Sequence, residues 1–396
     1  MSALPRAHPA DPGSAVNLEE LRATEWPWTT RGDVIYLNHA STGPIPARSL
    51  RAQQEFGARR AEPWRISYDD QFGMLHRVRK LCASLIGAAA SEIALMVNTT
   101  YGINVAARCL PLEPGDVVVS SDREFPANVY PWMALERARG VVFRRVPCRS
   151  RLADEDALLA ALDTPRVRVL TISWVSFETG LKLDLARLGA ACRERGIYFV
   201  VDGMQGLGAA PVDVRACHID LLACGGQKWL LSPWGTGFVY VRRELVTELE
   251  PHAVGWMSTR ASEDFTRLCD YDLTYFDDAR RFEVITLPFQ DIAGFEASLA
   301  MFHALGLERV YALVAERAAQ IVECASAKGL RLLTPPDPER RAGIVSVIPD
   351  LPDVASRRLQ GAGVIHSLRE GAIRLAPHFY TTAEEIERAL RLLVGR

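Results

Sequence analysis

At 396 residues, with 48% hydrophobic and 24% charged residues, the chain is long enough to bury a large core. Its formal net charge of −2, without any basic tract, argues against a nucleic-acid or membrane-surface partner. The eight cysteines (Cys82, Cys109, Cys148, Cys192, Cys217, Cys224, Cys269, Cys324) show no CxxC and no Cys/His cluster at metal spacing, so they read as reduced, mostly buried small hydrophobes and no metal site is expected.

Residues 1–17 are rich in Pro and Ala without the apolar stretch of a signal peptide, and no apolar run reaches transmembrane length, so a cytoplasmic location is expected. The arm of residues 1–30 ends with a short helix starting near 17–22. Val34-Ile35-Tyr36-Leu37 reads as a strand, followed by the polar loop Asn38-His39-Ala40-Ser41-Thr42-Gly43-Pro44-Ile45-Pro46. Such a loop after an apolar strand either lines a site or merely connects. Helices are expected over 47–60 and 72–86, then a strand over 93–97. Asn98-Thr99-Thr100 opens the next helix, where hydroxyls and N–H groups under the dipole serve either as a cap or as a phosphate site.

Strands over 116–121, 141–146, 167–173 and 197–201 alternate with helices over 130–139, 156–162 and 185–195. That alternation predicts a mainly parallel sheet covered on both faces. The strand at 197–201 ends on Asp202, followed by Gly203-Met204-Gln205-Gly206, which places a carboxylate at the carboxyl end of a sheet strand, where ligands bind. A second apolar run, 219–224, leads into Gly225-Gly226-Gln227-Lys228-Trp229, and a further strand spans 238–241. Only four lysines occur (Lys80, Lys182, Lys228, Lys328) among 46 Lys and Arg. A lysine between glycines and a tryptophan, in a chain that otherwise uses arginine, points to a task needing a neutral nucleophilic amine. Paired with a buried Asp202, it suggests pyridoxal phosphate: a Schiff base on Lys228 and a salt bridge from Asp202 to the ring nitrogen.

Residues 250–279 are aromatic-rich without clear periodicity, as in an interface or active-site loop. A helix over 290–305 follows. Beyond it come a helix (307–328), strands (330–333, 343–348, 364–367, 372–376) and helices (352–362, 383–394), forming an α+β unit with antiparallel strands. The expected division is an arm (1–30), a large domain (31–289) and a small C-terminal domain (290–396).

Taken together, Tyr36-Leu37-Asn38-His39-Ala40, Thr99-Thr100, Asp202-Gly203-Met204-Gln205, Gln227-Lys228, Arg281-Phe282-Glu283 and Arg374 resemble the class V aminotransferase family. Its members are pyridoxal-phosphate enzymes of the aspartate-aminotransferase-like α/β fold, among them cysteine desulfurases, isopenicillin N epimerase and kynureninase. The resemblance implies that Lys228 holds the cofactor as an aldimine and shuttles the α-proton, while Asp202 pairs with the ring nitrogen. It implies Gln205 on the phenolic oxygen, Phe125 stacked on the ring, and Thr99, Thr100 and Gln227 on the phosphate. Thr286 would reach the phosphate from a partner subunit, making a homodimer with shared sites. Arg374 would grip the substrate carboxylate, with His39 and Ser41 as further substrate contacts. Arg369, His366 and His378 are weighed as substrate contacts against plain strand-edge residues.

Two departures matter. The serine and histidine that desulfurases place before the lysine are replaced by Gly225, Gly226 and Gln227, and residues 364–374 contain no cysteine to carry a persulfide. Desulfuration is therefore disfavoured. Transamination leads, with C–S β-elimination and epimerisation at the same carbon as alternatives.

Overall fold

The structure, a computed structural model, describes residues 17–284 and 286–394. The readings for residues 1–16 lie outside them. The N-terminal half contributes α1 (Leu18–Glu25), β1 (Ile35–Tyr36), α2 (Ala47–Ala61), α3 (Met74–Ser84), β2 (Ile93–Leu95), α4 (Thr99–Cys109), β3 (Val117–Ser121), α5 (Tyr130–Arg139), β4 (Val142–Val146), α6 (Glu155–Leu162) and β5 (Val167–Ser173). Next come α7 (Leu185–Glu194), β6 (Tyr198–Asp202), β7 (Leu221–Gly225), β8 (Gly237–Val241), α8 (Arg243–Glu248) and α9 (Phe289–Leu305). The C-terminal part holds α10 (Leu307–Ala327), β9 (Arg331–Leu332), β10 (Val345–Ile348), α11 (Pro352–Gly361), β11 (Val364–Ile365), β12 (Ser367–Arg369), β13 (Ala372–Leu375) and α12 (Ala383–Val394).

The central sheet has the order β2-β8-β7-β6-β5-β3-β4. Strands β3 to β7 run parallel, as the alternation with helices predicts. Strand β6 shows why its sequence lacks polar alternation: Phe199 and Val201 enter the core on one face and Val200 the core on the other. Strand β8 is the exception, antiparallel to both β7 and β2. The segment from β7 to β8 contains no helix to carry the chain across a sheet face, so the chain returns beside β7 in the opposite sense. Lys228 sits in that return.

A four-stranded antiparallel sheet, β12-β13-β10-β9, forms the C-terminal layer. The strand expected over 364–367 is split: β11 pairs in parallel with β1, and β12 turns to β13. Ile35 and Leu37 therefore belong to the C-terminal core, packed with Val345, Val347, Ile373 and Leu375. Helix α9, expected to open the C-terminal unit, instead sinks Ile292, Phe295, Leu299 and Phe302 into the main core. Helix α10 serves both, with Val310 and Val314 in the main core and Ala318, Ile321 and Ala325 in the other. Among the described residues no single helix is long and apolar enough to cross a membrane; α9 and α10 pass on length only as a pair bent by 86°.

The Arg281-Phe282-Glu283 motif has a structural role here. Glu283 is buried and accepts from Arg79 Nε at 3.0 Å and Nη2 at 2.8 and 2.7 Å, and also from the Leu95 N–H at 2.8 Å. One carboxylate thus ties α3, the edge strand β2 and the turn before residue 286. Replacing Glu283 with Ala strands a buried guanidinium, and equilibrium urea unfolding is expected to show a loss of about 3–5 kcal/mol.

Candidate active site

The site forms where β5, β6 and β7 end side by side, with Ser173 opposite Asp202 and Asp202 opposite Ala223. Asp202 is 3% exposed. Its Oδ1 accepts from the Met204 N–H at 2.9 Å, and its other oxygen has no hydrogen bond among the described residues. Burial raises its pKa to about 6, against the opposing pull of that N–H and of Lys228.

Lys228 follows β7 in a turn closed by Leu231 N–H to Lys228 O at 3.1 Å. Burial lowers its pKa to about 8; Asp202 raises it, while Arg374 and Arg369 lower it further. Its Nζ lies 5.3 Å from the centroid of the Phe125 ring, which is 42% exposed and packs edge-on against Phe177. The polar loop 38–46 is seated directly on this turn, with Gly43 N–H donating to Gln227 O at 2.8 Å. A Cβ at Gly43 would lie 2.1 Å from Lys228 O, so only glycine allows the approach.

Beside the lysine, α4 presents its N-terminus. Asn98 caps it by accepting from the Tyr101 N–H at 2.9 Å, while the Thr99 and Thr100 N–H groups have no partner among the described residues. The two threonines differ. Thr100 is exposed, whereas Thr99 is buried with its hydroxyl committed, accepting from Gly225 N–H at 2.9 Å and donating to Met204 Sδ at 3.2 Å. Thr99 ties the helix to β7, so its hydroxyl is not free for a phosphate. The Gln227 Oε1 is buried without a partner among the described residues. Gln205 is held by donating to Ala40 O at 2.9 Å and accepting from Trp229 Nε1 at 2.8 Å, which leaves one amide N–H over.

Arg374 on β13 is 2% exposed and makes no ion pair among the described residues. Its Nη1 donates to Phe177 O at 2.6 Å and its Nη2 to Ser41 Oγ at 2.7 Å and Ser367 Oγ at 3.4 Å, while Nε is buried without a partner. Burial, with Arg369 nearby, brings its pKa down to about 10. Ser367 in turn donates to Asn38 Oδ1 at 2.7 Å. Sequence reading did not single out Ser367, which it placed at the end of one strand over 364–367, and it read Asn38 only within the polar loop and the family motif.

His39 is a correction. Expected to touch substrate, it is fully buried with Nδ1 on Ala376 O and Nε2 on Tyr380 Oη, both at 2.8 Å, and burial holds its pKa well below the ordinary value. His378 is likewise a core residue, bonded to Trp229 O at 3.0 Å, and His366 bridges Ser356 and Val364 O within the C-terminal layer. Thr286 is exposed, accepts from Trp256 Nε1 at 3.2 Å and makes no contact with the lysine cluster of its own chain. Glu124 was also missed. Burial raises its pKa to about 7, and it is fastened to Ser173 (N–H 2.9 Å, Oγ 2.5 Å) and Asn128 (3.1 Å), fixing the backbone just before Phe125.

The family model described as Aminotransferase class-V matches residues 35–375. A "Probable cysteine desulfurase" of Methanothermobacter thermautotrophicus is 30% identical over 381 residues, covering 90% of this chain and 92% of that protein. An "Isopenicillin N epimerase" of Streptomyces clavuligerus is 31% identical over 386 residues, covering 91% and 95%. Among solved structures, a complex between the cystine C-S lyase C-DES and its product cysteine persulfide aligns with a TM-score of 0.83 and 25% identity, covering 91% of this chain and 97% of that one.

The lowered pKa of Lys228 is directly testable. Labelling by an aldehyde with cyanoborohydride, read residue by residue by mass spectrometry on cofactor-stripped protein, should rise through a midpoint near pH 8 at Lys228. Asp202→Asn should move that midpoint down, because the carboxylate favours the charged amine.

Proposed function

The chain belongs to the class V aminotransferase family of pyridoxal-phosphate enzymes, and from that premise we propose that it transfers the amino group of an α-amino acid. The observation that carries this reading is Arg374: a buried guanidinium with an unpartnered Nε and no carboxylate beside it, in the same pocket as a lysine whose pKa is lowered. An unpaired buried charge is costly, and an α-carboxylate supplies the missing bidentate partner.

The residues fit the cofactor. The free oxygen of Asp202 suits a protonated ring nitrogen, and the first-turn N–H groups of α4 with the Thr100 hydroxyl suit a phosphate. The unpartnered Gln227 amide lies at the same end, and a half-turn of that amide presents N–H in place of oxygen. Phe125 offers a ring face, and Gln205 its remaining N–H. When bound, pyridoxal phosphate supplies a carbonyl that takes up the amine and an electron sink that acidifies the Cα–H.

Lys228, partly neutral near pH 8, accepts and returns a proton on one side of the substrate's Cα. Its charged or titratable neighbours are Asp202, Arg374, Arg369 and Cys224, the last a thiol whose burial keeps it protonated. With Asp202 given to the ring nitrogen and Cys224 protonated, Lys228 is the one proton carrier among these groups, which supports amino-group transfer. The desulfurase relatives do not carry their activity over. The segment before Arg374 is a two-residue hairpin turn without a cysteine, too short to swing a thiol to the lysine. The exposed Thr286 and the exposed Trp256, Phe265 and Tyr271 support a homodimer in which this face meets a second copy.

The purified enzyme should be yellow, and an amino acid should convert it to the pyridoxamine form with release of a 2-oxo acid. Release of pyruvate and ammonia instead, or inversion alone, overturns amino-group transfer. Lys228→Ala should abolish turnover with the fold intact by circular dichroism. Arg374→Ala should lower kcat/KM for α-amino acids by roughly 100-fold or more while affecting simple amines little.

A further inference from the structure

Strand β12 and strand β13 form a hairpin in which Ser367 stands opposite Arg374 and Arg369 opposite Ala372. The two residues between them, Glu370 (φ 47°) and Gly371 (φ 77°), both have left-handed backbone, as the type I′ turn requires. This is a stiff turn rather than a loose loop. Successive side chains along a strand alternate in direction, so Arg369 shares the face of Ser367, whose hydroxyl lies among Arg374, Ser41 and Asn38. Arg369 thus extends the carboxylate site by one step of the ladder, about 7 Å along the strand.

Three observations mark Arg369 as waiting for a ligand. It is exposed, and its guanidinium has no hydrogen bond or ion pair among the described residues. Its charge bears on both Lys228 and Arg374, in keeping with its place on the hairpin one step along from Ser367. The turn residue Glu370 is held by its backbone carbonyl, which receives Arg151 Nη1 at 3.0 Å, and its carboxylate makes no ion pair with Arg369 among the described residues. The other carboxylate of this rim, Glu178, is 1% exposed and already paired with both Arg123 and Arg151. Among the described residues no carboxylate pairs with Arg369.

We propose that Arg369 is a specificity residue that binds a second carboxylate, so that the substrate is an acidic amino acid held between Arg374 at its α-carboxylate and Arg369 at its side-chain carboxylate. The inference rests on the reading of Arg374 as the α-carboxylate site. A dicarboxylate of glutamate length or longer spans the step along the hairpin, and Phe125 and Phe177 flank its methylenes.

The test uses the holoenzyme and two readouts. In calorimetry, glutarate should bind at least about tenfold tighter than butyrate, and Arg369→Gln should erase that difference. In turnover, glutamate and 2-aminoadipate should exceed glutamine and norvaline in kcat/KM, and Arg369→Gln should lower the acidic pair at least about tenfold more than the neutral pair, whatever common change follows from the altered charge beside Lys228. Equal binding of glutarate and butyrate by the unaltered protein, or an equal fall for acidic and neutral substrates in the variant, would overturn the inference. Failure of the underlying reading looks different: Arg374→Ala then leaves butyrate binding unchanged. Because calorimetry needs no turnover, it decides the role of Arg369 whatever reaction follows.

Discussion

A positive charge buried without its counter-ion dominates this molecule. Arg374 is removed from water by strands of the C-terminal layer, by the loop after β1 and by the segment after β5, and each of these contributes one oxygen to it. Neutral oxygens orient a guanidinium but do not neutralise it. The three regions are therefore assembled around a charge deficit; on the proposed reading a substrate carboxylate removes it, which couples binding to local stability at this point. The contrast with Arg79 is instructive. That guanidinium is equally buried, but Glu283 neutralises it, and its role is confined to holding elements together.

Much of the fold was legible because buried parallel strands carry a strong signal. The uncharged runs ending at Asp202 and Gly225 carry the acid and the lysine to the carboxyl ends of neighbouring strands. The scarcity of lysine did the rest, since it made Lys228 conspicuous in a chain that uses arginine elsewhere. What local sequence could not supply were the pairings made over long distances. Strand β8 reads like its neighbours, and only the missing crossover helix reverses it. His39 lies two residues from the site-lining Ser41, yet strand and loop geometry turn its ring into a cluster with Tyr36, Trp229 and His378. The adjacent Thr99 and Thr100 likewise diverge, since one faces the sheet and the other solvent at a helix start.

The mouth of the pocket is built from arginines whose partners differ. Arg123 and Arg151 converge on Glu178, forming an ion-paired brace that also holds the tip of the β12–β13 hairpin through Glu370 O. The brace fixes the hairpin, and the hairpin fixes Arg369 and Ser367 relative to Arg374. Rigid positioning of this kind comes from a two-residue turn and an ion-paired support, in place of a flexible segment that closes over a ligand.

The parallel pairing of β1 with β11, and the hydrogen bond between Ser41 and Arg374 across 333 positions of sequence, also set an order of assembly. During synthesis the first strand emerges early but finds its partner only after Val364 and Ile365, more than 300 positions later, have emerged. Until then Ile35 and Leu37 have no core to enter. The central sheet can form as its strands appear, whereas the carboxylate pocket closes last, by contacts of the highest sequence separation. A nascent chain can thus possess the lysine and its acid before β13 brings Arg374 to them, so the two halves of the proposed site are separated in time as well as in sequence.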